Sequence, residues 1–134
     1  MKTLLVVEDE PAVMKLLRHM LQEYNLVEAT CAEEALLSFI DLNYRVDLLV
    51  ADLTLPRMSG IQVALHVRSK LPALPVILTS GYPVNGWSSQ DTADLLRLGS
   101  HSLAILQKPF RSKILVNEVS ELMGMALQDQ ARTA

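Results

Sequence analysis

At 134 residues, half of them hydrophobic, the chain is long enough for one domain with a buried core and too short for two. Its 12 basic and 15 acidic residues are spread along the sequence to a net charge of −3, which excludes the clustered Lys/Arg surface that binds nucleic acid. A single cysteine excludes an internal disulfide and suits a reducing, cytoplasmic compartment, and the acids at 8–10 cut the apolar run of MKTLLVV far short of a signal-peptide core or a membrane span.

The first element in chain order is TLLVV (3–7), a short continuous aliphatic run of the kind found in strands buried on both faces. After the acids, PAVMKLLRHMLQEY (11–24) repeats apolar residues at Val13, Leu16, Leu17, Met20 and Leu21 with a helical period. The alternation recurs as LVEAT (26–30) and AEEALLSFIDL (32–42), then VDLLVAD (46–52) and GIQVALHVRSKL (60–71). PVILTS (75–80) is followed by a polar stretch and DTADLLRL (91–98), and SLAILQ (102–107) by SKILVNEVSELMGMAL (112–127). Parallel neighbours require crossover connections, so five strand–helix pairs predict one doubly wound α/β domain: a five-stranded parallel sheet with helices on both faces, (βα)5. The domain is expected over 1–127 with a loose tail at 128–134, and there is no repeat, low-complexity segment or internal linker. Cys31 is expected as a buried structural thiol in a helical stretch, Thr79 as a buried strand residue, and Met58, Met123 and Met125 as core or loop.

Ligands of such a sheet bind at the carboxyl ends of the strands, near a switch in strand order. The first strand ends in Glu8 and Asp9, the third in Asp52, the fourth in Thr79 and Ser80, and the fifth in Lys108 and Pro109, so acids, a hydroxyl and a lysine converge on one edge. Acids before Pro11 also suit a helix start, which accounts for Glu10 but not for the whole cluster. Crowded carboxylates raise one another's pKa unless a cation offsets them, and Mg²⁺ is held by one or two carboxylates together with water and phosphate oxygens. With such a metal Asp52 can attack phosphorus while the lysine and the hydroxyl hold the remaining oxygens, which describes an aspartyl-phosphate site. Neither G-x-G-x-x-G nor G-x-x-x-x-G-K-[ST] occurs, which disfavours dinucleotide binding and nucleoside triphosphatase chemistry.

The segments LLVVEDEP, DLLVADLTLPRMSG, LPVILTSGY and LQKPF, in that order over almost the whole chain, resemble the signature segments of the response-regulator receiver domain of two-component signalling. The loop after Ser80 and the LQKPF ending are most similar to receivers attached to hybrid sensor histidine kinases. The resemblance implies a flavodoxin-like fold and a phosphorelay role. Asp52 matches the phosphoacceptor and a metal ligand, Asp9 a direct Mg²⁺ ligand, and Glu8 an acid acting through water on the metal. Thr54 is implied to lend its backbone carbonyl to the metal. Ser80 matches the switch hydroxyl, Lys108 the phosphoryl-contacting lysine, and Pro56 and Gly60 the turn after the acceptor strand. A cis Lys108–Pro109 bond is implied as well, which only X–Pro tolerates at low cost. His19, His66 and His101 share no ligand-like spacing and read as surface or packing residues. The donor histidine therefore belongs to a histidine kinase, a histidine phosphotransfer domain, or a kinase core on the same polypeptide. The module is expected to promote its own phosphorylation and slow hydrolysis without being a turnover enzyme. The alternative is a haloacid-dehalogenase-like phosphatase, but that family places its nucleophile after the first strand with a second Asp two residues on, where this chain has Thr54.

One position departs from the family pattern. An aromatic residue ordinarily stands three before the lysine as a rotamer switch, and here it is Ile105. A stiff β-branched side chain has no ring to swing, so coupling across residues 91–106 is expected to be muted even where phosphorylation is intact.

Overall fold

Alternating side chains on five short strands divide the interior into two cores. The structure is a computed structural model that describes residues 1–133, with side-chain surroundings through residue 124. Strands β1 (Thr3–Val7), β2 (Asn25–Ala29), β3 (Leu48–Asp52), β4 (Val76–Ser80) and β5 (Leu103–Gln107) form one sheet in the order β2-β1-β3-β4-β5, every pair parallel. They alternate with helices α1 (Pro11–Met20), α2 (Ala32–Asp41), α3 (Gly60–Lys70), α4 (Ser89–Leu98) and α5 (Ser112–Thr133). Leu4, Val6, Leu48, Val50 and Ile77 face one core with Met14 and Leu17 of α1 and Leu115 and Val119 of α5. Leu5, Val7, Leu49, Ala51 and Leu78 face the other, against Phe39 of α2, Ile61 and Val67 of α3 and Leu98 of α4. Two-sided burial is why these strands are continuous aliphatic runs; each such side chain contributes about 1.5–3 kcal/mol.

The chain leaves β1 to one side for β2 and returns on the other for β3, so the switch in strand order lies between the carboxyl ends of β1 and β3. Register fixes what meets there. Val7 pairs with Ala51 and Asp52 with Thr79, which brings Glu8 and Asp9 level with Asp52. Ser80 pairs with Gln107, and the Lys108 N–H donates to the Ser80 carbonyl at 2.7 Å, which carries the lysine to the same edge. The Lys108–Pro109 bond is cis, as the resemblance implies.

Several boundaries differ from those expected. α1 ends at Met20, and residues 21–24 form a turn that feeds the neighbouring strand at Asn25. A 3₁₀ turn (Val84–Gly86) precedes α4, which begins at Ser89 under a Ser88 cap whose hydroxyl accepts the Asp91 N–H at 3.0 Å. α5 continues to Thr133, through residues expected as a tail, because neither glycine nor proline follows Gly124. Cys31 is not a buried helical thiol: the helix starts only at Ala32, leaving the cysteine half-buried in the extended N-cap position. Met123 packs against the α1/α5 core, whereas the side chain of Met125 lies outside the described residues.

Two residues hold this frame at opposite ends. At the end away from the acids, the Arg68 guanidinium of α3 donates to the carbonyls of Leu74, Leu98, His101 and Ser102, at 2.9–3.2 Å, tying α3 to the starts of β4 and β5 and to the end of α4. At the other end, Gly60 starts α3 and donates its N–H to the Leu53 carbonyl at 3.1 Å. A Cβ at Gly60 would collide with the Asp52 carbonyl oxygen and stand 2.8 Å from its carbon. Gly60→Ala is therefore expected to destabilise by about 1–3 kcal/mol through a backbone shift at Asp52. Gly124→Ala, where nothing lies near the added atom, should stabilise α5 by roughly 1 kcal/mol. Urea denaturation of both variants checks the pair of signs.

Candidate functional site

Lys108 stands between two buried carboxylates that arrive from different strands. Its Nζ lies 2.9 Å from Glu8 Oε1 and 3.2 Å from Asp52 Oδ1, while Glu8 and Asp52 are 1% and 4% exposed. The Glu10 N–H donates to the second Glu8 oxygen at 3.1 Å, and the Thr54 N–H donates to the Asp52 carboxylate. Asp9 is exposed at the rim, yet one oxygen from each of Glu8, Asp9 and Asp52 lies within 4.8 Å of the others. Three carboxylates against one ammonium leave two negative charges uncompensated, and hard oxygen ligands with that deficit fit a divalent cation such as Mg²⁺. The third acid of the sequence cluster has another role: Glu10 is the exposed N-cap of α1, with Pro11 in the first helical turn.

The electrostatics follow from burial. Loss of water raises the Asp52 pKa more than Lys108 and the Thr54 N–H lower it, and the charge of Asp9 adds to the rise. Glu8 is also raised, first by burial and further by the charge of Asp52, although Lys108 and the Glu10 N–H act in the opposite direction. Burial alone would lower Lys108, but its hydrogen bond to Glu8 and the two carboxylate charges more than offset this, and its net shift is upward.

Ser80 is fully buried beside this cluster, and its hydroxyl is committed to the following loop. It donates to the Tyr82 carbonyl at 2.7 Å and accepts the Tyr82 N–H at 3.2 Å. The same carbonyl accepts the indole N–H of Trp87 at 3.3 Å. The Tyr82 hydroxyl lies 3.3 Å from that of Thr54, bridging the loops after β3 and β4. Sequence reasoning named Ser80 and Thr54 but missed Tyr82 and Trp87; the available signal was a lone tryptophan in an otherwise polar loop. Thr79 is buried in β4 as expected, and His19, His66 and His101 have exposed side chains.

Lys108 also borders an apolar groove of about 310 Å³ between α1 and the turn after β5. Val13, Leu16 and Met20 of α1 line it together with Lys108, Pro109 and Phe110 after β5. Leu16 is 56% exposed. Farther off, Asp94 of α4 is buried, its Oδ1 accepting from Gln90 and Arg97. No sequence signal distinguished it from the surface acids around it.

Comparison with known proteins places residues 4–120 in the family described as the response regulator receiver domain. Over 110 residues the chain is 34% identical to protein-glutamate methylesterase/protein-glutamine glutaminase 1 of Syntrophus aciditrophicus, a match covering 78% of this chain and 29% of that protein. It is 32% identical over 123 residues to the sensor kinase CckA of Brucella abortus, covering 90% of this chain and 12% of the kinase. The chain thus spans well under half the length of these relatives. Among solved structures, the signal receiver domain of a signal transduction histidine kinase from Syntrophus aciditrophicus superposes with a TM-score of 0.75 at 26% identity, over 92% of this chain and 91% of that one.

The raised carboxylates fix the sign of a pH effect. Asp52 and Glu8 bind a proton more tightly folded than unfolded, so stability falls as pH climbs from the unfolded carboxylate values near 4 through the raised folded ones. In chelator-treated protein, Asp52→Asn is expected to melt higher than wild type at neutral pH, with the advantage shrinking as pH approaches about 4. Melting curves at several pH values test this; a pH-independent difference contradicts it.

Proposed function

The chain belongs to the response regulator receiver domain family of two-component signalling, and from that premise we propose that Asp52 is the residue that accepts the phosphoryl group. The observation that carries the assignment is the Lys108 ammonium held between Asp52 and Glu8 beside Asp9, at the switch in strand order.

Receiver domains take their phosphoryl group from a histidine kinase or a histidine phosphotransfer domain. Here an Asp52 oxygen attacks the phosphorus of the donor phosphohistidine: the P–N bond breaks, a P–O bond forms, and the imidazole leaves without the phosphoryl group. Glu8, Asp9, Asp52 and the Thr54 carbonyl are the groups assigned to hold Mg²⁺, which when bound neutralises phosphoryl oxygens during transfer. Lys108 already contacts the attacking carboxylate, so a small movement carries its charge to a phosphoryl oxygen. Ser80 exchanges its Tyr82 carbonyl partner for the phosphoryl group, which begins the conformational change. The apolar groove lined by Leu16, Phe110 and Lys108 receives the helix that presents the donor histidine, because it shares Lys108 with the acceptor site.

The phosphatase alternative is not supported: Asp52 ends β3 rather than β1, and the family assignment is to a signalling domain. We assign one phosphorylation per molecule followed by slow hydrolysis, in the cytoplasm, where such donors act. No helix among the described residues is long and apolar enough to cross a membrane.

With acetyl phosphate and Mg²⁺, the wild type is expected to gain one phosphoryl adduct by intact mass, localised to Asp52, and Asp52→Asn to gain none while keeping its circular dichroism spectrum. An undiminished adduct in the variant overturns the assignment. Asp9→Ala is expected to weaken Mg²⁺ on the order of tenfold or more in titration calorimetry. Unchanged affinity would remove Asp9 from the metal site.

A further inference from the structure

From the contacts of one loop carbonyl we infer that Trp87 is a positioning residue that passes the movement of Ser80 to helix α4, by a path separate from the one on β5 that has Ile105 in place of an aromatic ring. This rests on the roles of Asp52 and Ser80 proposed above. Ile105 sits half-buried on β5 opposite Leu78, and no rotamer of isoleucine sweeps the volume of a ring. A second path leaves Ser80 in the other direction. Its hydroxyl donates to the Tyr82 carbonyl at 2.7 Å, and that carbonyl also takes the Trp87 indole N–H at 3.3 Å. A carbonyl oxygen has two lone pairs, so both donors are accommodated at rest.

When Ser80 turns to a phosphoryl oxygen, it leaves the Tyr82 carbonyl and also withdraws the acceptor for the Tyr82 N–H. The indole then remains as the carbonyl's partner, and it is a donor that cannot be replaced by turning a hydroxyl. Trp87 is 7% exposed and packs in the same core as Leu98 of α4, while the next residue, Ser88, caps α4 through the Asp91 N–H. Any shift of the Tyr82 carbonyl that keeps this indole bond therefore pulls on the residue adjoining the helix cap. The indole does two things at once: it keeps the released carbonyl paired, which favours the switched state, and it links that carbonyl to the start of α4.

Trp87 is the chain's one tryptophan, so its fluorescence reads the relay directly. Beryllofluoride with Mg²⁺ is expected to shift the Trp87 emission in wild type. Ser80→Ala should lack that shift even at beryllofluoride concentrations at which fluorine NMR shows the Asp52 site fully occupied, because no hydroxyl is then withdrawn from the carbonyl. Trp87→Phe, which keeps an apolar ring and removes the N–H, is expected to weaken beryllofluoride binding by roughly threefold to tenfold, the cost of an unpaired, partly buried carbonyl. Tyr82→Phe, which keeps that carbonyl and loses only the phenol hydroxyl, should retain the emission shift at saturating beryllofluoride. Unchanged emission in labelled wild type, or a full shift in Ser80→Ala, overturns the relay. Should Trp87→Phe not fold, the comparison of wild type with Ser80→Ala decides alone. Absence of label on Asp52 in wild type would instead remove the reading of the site, and the relay with it.

Discussion

A single ammonium group, a hundred positions along the chain from one of the two carboxylates it joins, sets the conditions for the rest of the site. Glu8 and Asp52 end neighbouring strands, and two buried carboxylates there repel each other and lose their water. Lys108 reaches them from the far side of β4, held in register by its own N–H on the Ser80 carbonyl. The compensation is incomplete, as the raised carboxylate pKa values record. That residual charge is of the sign and the ligand type that fit a divalent cation. Held buried beside each other, the two carboxylates carry an electrostatic cost.

Most of this arrangement is legible in the sequence because it depends on short-range pattern. Aliphatic runs of five residues bounded by acids or hydroxyls announce two-sided strands, and once the strands are ordered, the residues that end them must share an edge. Glu8, Asp9, Asp52, Ser80 and Lys108 follow from that alone. What the sequence does not carry is where a hydroxyl turns or whether a polar side chain finds cover. Ser80 reads as a group aimed at the acceptor, whereas it is bonded to its own loop, because the backbone groups of Tyr82 lie two residues away. Asp94 looks like any acid on a polar helix, but it is buried beneath α4. Cys31 looks buried by its apolar neighbours, yet it is half-buried in the extended N-cap position just before the helix that starts at Ala32.

Chemistry and output separate along the same line. The acids and the lysine belong to β1, β3 and the end of β5, while Tyr82 and Trp87 belong to a loop that no catalytic contact requires. A chain can therefore keep phosphoryl transfer while changing what the transfer moves. Ile105 puts no ring on β5, and it is in the loop after β4 that the buried Ser80 hydroxyl meets the Tyr82 backbone.

The Arg68 contacts decide how such movement is shared. Four carbonyls at the amino-terminal margin of the sheet converge on one guanidinium, which stays charged across the whole range in which carboxylates titrate. Burial lowers the pKa of that guanidinium from its ordinary value, and its four carbonyl partners hold α3, the end of α4 and the starts of β4 and β5 together. Helix α4 is thus fastened at its carboxyl end through the Leu98 carbonyl, by a contact that shares no residue with the loop carrying Trp87 and the Ser88 cap at its other end.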